Sequence, residues 1–169
     1  MKRIAGSLLM LGLVAMFALN TIWIARNRKQ LGGTRAGQLA PALRLKMLDG
    51  EFPDLRGKIV FLSFWATWCG PCVHELPDVQ HLYEQYKDKV TFVAINVDNG
   101  EDVAPLVRAF KNRLGLGMPV ALDDGSASRD YRVDTIPRTV IIDREGRIAK
   151  SFDGARSYDD MKEALDSLL

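Results

Sequence analysis

Two cysteines occur in the 169-residue chain, and they stand together in Trp68-Cys69-Gly70-Pro71-Cys72. A pair at this spacing can exchange disulfides, hold a metal or do nothing. A structural zinc site needs four ligands, and beyond the cysteines the only nearby candidates are His74 and His81. Covalent haem attachment needs a His directly after the second Cys, where Val73 stands. An inert disulfide closing so short a loop stabilises little. The context favours exchange. The motif directly follows the apolar run Ile59–Trp65 and opens a segment, Gly70 to Lys87, with helical spacing of Val73, Leu76, Val79, Leu82, Tyr83 and Tyr86. A helix N-terminus carries free N–H groups and about half a positive charge. Such a site lowers a thiol pKa from about 8.5 to roughly 3.5–7.5. Cys69 is therefore expected to be the attacking thiolate. Cys72, one turn further in and more buried, is expected to be the resolving thiol. Pro71 suits a first turn, where no N–H is needed.

Elements able to position this pair are readable along the chain. Leu43-Arg44-Leu45-Lys46-Met47 alternates as a half-buried strand, and Asp49-Gly50 after it is a hairpin signal. Ile59–Trp65 suits a central strand covered on both faces. Val90–Val97 is the next strand, Glu101–Leu114 a helix, Pro119–Leu122 a short strand and Ser126–Tyr131 a helical turn. Thr139–Ile142 and Arg147–Phe152 flank Asp143-Arg144-Glu145-Gly146, a second hairpin. Ser157 is an N-cap for a last helix whose inner stripe is Met161, Ala164, Leu165 and Leu168. Parallel strands joined by helices, then a late antiparallel hairpin, predict a mixed sheet with helices on both faces.

Charge divides the chain in two. Six of its 23 basic residues and none of its 21 acidic residues fall within positions 1–36, so positions 37–169 carry a net charge of −4. A body of that sign lacks the basic face that nucleic-acid binding requires. Ile4 to Ala25 contains no charged residue and exceeds the roughly 20 residues that span a bilayer core as a helix. A cleaved signal peptide is the competing reading, but its apolar region is usually only about 7–15 residues, and no small-x-small site follows. The expected organisation is a membrane anchor and linker over 1–36 and an α/β domain over 37–169. The flanking charges, Lys2 and Arg3 against Arg26, Arg28 and Lys29, are too even to orient the anchor.

Phe64-Trp65-Ala66-Thr67-Trp68-Cys69-Gly70-Pro71-Cys72-Val73-His74-Glu75-Leu76-Pro77 resembles the active-site signature of the membrane-anchored thioredoxin-like proteins of bacteria, the TlpA/ResA type. Gly37-Gln38-Leu39-Ala40-Pro41, Leu55-Arg56-Gly57-Lys58, Val97-Asp98, Ile136-Pro137-Arg138-Thr139 and Ile142-Asp143-Arg144-Glu145-Gly146 extend the resemblance in order. It implies a thioredoxin fold with a central insertion at about Asn99–Met118, and an extracytoplasmic domain tethered to the bacterial inner membrane by residues 4–25. It implies a cis peptide at Pro137 and backbone groups of Ile136 offered to a client strand, beside Trp68, Gly70 and Pro71. Glu75 would take the proton of Cys72, the alternative being a solvated helix carboxylate. Ser63 stands where thioredoxin has a buried Asp, so that proton-transfer role passes to Glu75 or to water. His74 and His81 read as surface.

The implied activity is thiol–disulfide exchange with client proteins outside the cytoplasm. The Gly-Pro pair favours a reductant, for example in cytochrome c maturation. No cofactor is needed beyond the Cys69–Cys72 disulfide, and a membrane dithiol protein would supply electrons. The rival readings are a peroxiredoxin-like peroxidase, with Thr67 and Arg138 assisting Cys69, and a Cu(I)-binding thiol carrier.

Overall fold

The computed structural model describes residues 36–100 and 102–169, together with Met16. The expected span Ile4–Ala25 therefore lies outside the described residues, apart from Met16. Strand β2 (Ile59–Trp65) is buried at every position because it lies inside a six-stranded sheet that runs, in order, β1 (Lys46–Met47), β4 (Val120–Leu122), β3 (Val90–Asn96), β2, β5 (Arg138–Ile142) and β6 (Ile148–Asp153). It pairs in parallel with β3 (Val90–Asn96) and antiparallel with β5 (Arg138–Ile142). β4 (Val120–Leu122) continues the parallel half. β6 (Ile148–Asp153) closes the other edge as the predicted hairpin with β5. Its turn is closed by the Gly146 N–H on the Asp143 carbonyl at 3.1 Å, with Gly146 at φ 74°.

The first strand departs from expectation. Only Lys46–Met47 forms β1, and it pairs antiparallel with β4, not in a hairpin with the strand that follows. Both edges of β2 are already taken by β3 and β5, which leaves no place for β1 beside it. β4 is three residues long, so the ladder cannot extend back to Leu43. The alternation itself survives, with Leu45 and Met47 buried.

The helices are α1 (Gly70–Tyr86), α2 (Val103–Arg113), α3 (Ser126–Asp130) and α4 (Tyr158–Asp166). They are less evenly shared between the faces than the pattern predicts. Leu76, Val79 and Leu82 of α1, Val107 and Phe110 of α2 and Met161 and Leu165 of α4 all join Phe61, Trp65 and Ile141 in one core. The opposite core holds Val60, Leu62, Phe64, Val140 and Ile142, covered by Ala127 of short α3, by Tyr131 and by chain that enters before β2. Tyr86 ties α1 to α4 through a 2.6 Å bond from its hydroxyl to Asp166. Ser157 and Asp160 form a capping box at the start of α4.

Candidate active site

The carboxyl ends of parallel strands are where this architecture leaves a crevice. The chain leaves β2 there and turns through Ala66–Trp68 into α1. Cys69 is the N-cap residue of α1, and its Sγ accepts the Cys72 backbone N–H at 3.2 Å. Gly70 and Pro71 fill the first helical positions, which lack intrahelical partners in any helix, so the proline costs no hydrogen bond. The two cysteines form a disulfide with Cα atoms 5.2 Å apart. Cys69 is 5% exposed and Cys72 is 1% exposed, so an incoming sulfur meets Cys69 first.

Asp98, two residues past the end of β3, holds the turn that presents the pair. Its carboxylate accepts the Thr67 N–H at 3.0 Å and the Asn96 side-chain amide at 2.9 Å, and it is buried. Asp98 directly follows the predicted strand Val90–Val97, and nothing in the motifs assigns it a role. A charged residue at the carboxyl end of a central parallel strand was the signal available.

Glu75 lies one turn after Cys72 and is 4% exposed, which excludes the solvated-carboxylate alternative. Its Oε1 accepts the Arg156 backbone N–H at 2.8 Å. Burial pushes the Glu75 carboxyl above the usual carboxylate range, and the Arg156 N–H only partly offsets this. A carboxylate so placed is a stronger base than a solvated one. His74 and His81 are exposed.

The Ile136–Pro137 peptide is cis, and the Pro137 carbonyl accepts the Gly154 N–H at 2.9 Å. The loop after β6 thus holds the proline segment through Gly154 and Glu75 through Arg156. Sequence reasoning missed this loop, because its contacts run through backbone N–H groups that no side-chain type announces. Trp68, 72% exposed, and half-buried Ile136 line one groove of about 170 Å³ with Val97, Val133 and Asp134. Gly70 and Pro71 are exposed at the helix tip.

Arg138 is buried in β5. It alternates with Val140 and Ile142 on the sheet face opposite Cys72, where it pairs with Asp153. Thr67 is held through its backbone by Asp98.

Residues 35–169 match the Redoxin family model. The thioredoxin-like protein YneN of Bacillus subtilis is 37% identical over 168 residues, which cover 98% of this chain and 97% of that one. The thiol-disulfide oxidoreductase ResA of Bacillus thuringiensis is 37% identical over 131 residues, covering 75% of this chain and 74% of that one. Among solved structures, StoA from Bacillus subtilis superposes with a TM-score of 0.66 at 31% identity, covering 76% of this chain and 99% of its own. A capped, buried Cys-Gly-Pro-Cys disulfide on this fold, together with these relatives, means that the chain belongs to the Redoxin family as a thioredoxin-like thiol–disulfide oxidoreductase.

Proposed function

We propose that this protein reduces disulfides of client proteins outside the cytoplasm, held at the membrane by residues 4–25. The observation that carries the mechanism is the asymmetry of the pair: Cys69 caps α1 and is the more accessible sulfur, while Cys72 and Glu75 are buried behind it. In the reduced protein the free N–H groups at the start of α1 stabilise the Cys69 thiolate. That thiolate attacks one sulfur of the client disulfide, the client S–S bond breaks, and a mixed disulfide forms. The other client sulfur leaves as a thiolate and takes a proton from solvent. Glu75 accepts the proton of Cys72, whose thiolate attacks the Cys69 sulfur. The second client sulfur leaves, protonated in turn by Glu75. The client has gained two electrons, and the protein ends as the Cys69–Cys72 disulfide.

Trp68, the chain neighbour of Cys69, lines a groove with Ile136 that would take an extended client segment, with backbone pairing at Ile136. The Gly-Pro pair supports the reductant direction, since thioredoxin, with the same pair, lies at about −270 mV against about −120 mV for the oxidant DsbA. A membrane dithiol protein would restore the thiols, and cytochrome c maturation is a pathway that consumes such reductant. The uncharged stretch Ile4–Ala25 supports the anchor. The test is capture: the reduced Cys72→Ala variant, mixed with a disulfide-bonded protein, should accumulate a mixed disulfide at Cys69. Failure of wild type to consume protein disulfides at catalytic amounts with a supplied dithiol overturns the reading.

A further inference from the structure

Ser63 and Thr139 face each other directly across the β2–β5 ladder. Ser63 alternates with Phe61 and Trp65, and Thr139 with Ile141, so both lie on the sheet face whose core includes Cys72. Each is 1% exposed. Among the described residues, neither hydroxyl has a hydrogen-bond partner, and the indole N–H of Trp65, two residues along, has none either. β2 and β5 are each paired on both sides, so the ladders already use the backbone groups beside them. Cross-strand partners stand about 5 Å apart at Cβ, a span that one water bridges. Buried polar groups in native proteins are satisfied almost without exception, by protein or by ordered water.

We propose that Ser63 and Thr139, with the Trp65 indole N–H, hold a buried water on the face that packs against Cys72, and that this polar site stabilises the Cys72 thiolate during resolution. The inference rests on the exchange reading and refines it: Glu75 takes the proton, and the hydroxyl–water site supplies hydrogen bonds to the sulfur that the proton leaves. Ser63 and Thr139 act through that water and are positioning residues. Only the proton moves to Glu75 in this step. The bond that forms is Cys72–Cys69, and the bond that breaks is Cys69–client.

The full reduced chain, mixed with 5,5′-dithiobis(2-nitrobenzoate) in a stopped-flow instrument, reports the two steps separately. Thionitrobenzoate is released once when Cys69 is captured and again when Cys72 resolves the adduct. In the Ser63→Ala/Thr139→Val double variant the first release should keep its rate. The second should slow about tenfold or more, the factor carried by a hydrogen bond to a charged group. The melting temperature should stay near that of wild type, because the two facing hydroxyls are replaced together by apolar groups of similar shape. Thr139→Ser, which keeps the hydroxyl, should restore the second phase. An unchanged second phase overturns the proposal, and so does equal slowing of both phases. If the double variant does not fold, Ser63→Ala alone is read by the same criteria. Wild type that releases both equivalents but consumes no protein disulfide contradicts the exchange reading instead.

Discussion

At Glu75, stability and chemistry pull in opposite directions. Its carboxyl is held above the usual range by burial. Such a group destabilises the fold once it must ionise. The cost is absent where folded and unfolded chains are both protonated, and it grows as pH rises through the raised folded value. Glu75→Gln keeps an oxygen for the Arg156 N–H and removes the charge. It should melt like wild type near pH 3 and above wild type near pH 7, because ordinary Glu titrates at about 4.3. The same variant should resolve mixed disulfides about 10²-fold more slowly at neutral pH, the lower end of what a positioned base contributes. Thermal melts across pH and single-turnover kinetics check the two halves. The cysteines, Glu75 and Pro137 were all legible as candidates, because short motifs carry residue type and spacing together. Ser63 was legible as a departure, but its pairing with Thr139 depends on the register between strands 76 positions apart in the chain.

At the scale of elements, two ties hold the site. Asp98 fixes the β2–α1 turn across 31 positions, and the loop after β6 reaches Glu75 across 81. Local periodicity carries no information about contacts at that range, so the sequence disclosed the elements and not these ties. It also predicted a hairpin at Asp49-Gly50, where competition for the edges of β2 decides the pairing instead. Asp98→Ala leaves the Thr67 N–H without its acceptor and should cost about 1–3 kcal/mol by denaturant unfolding. It should also slow the capture step, because the turn that presents Cys69 loosens. Ser157→Ala, which removes the cap of α4, should cost about 1 kcal/mol. Its capture and resolution rates should match wild type, separating loss of stability from loss of site geometry.

Taken whole, Ala36–Leu169 forms one compact unit with a core on each side of the sheet. A chain beginning at Ala36 should therefore unfold cooperatively and exchange disulfides at the full-length rate, which truncation followed by calorimetry and kinetics will check. The reductant direction proposed for the Cys69–Cys72 pair decides which way electrons pass between this protein and its clients. Its most direct test is the reduction potential of the full chain, equilibrated with thiol–disulfide buffers of defined poise and followed by the redox state of the pair. A value at or below about −250 mV, in the range of thioredoxin, is expected. A value above about −180 mV, on the side of isomerases and oxidants, would contradict it.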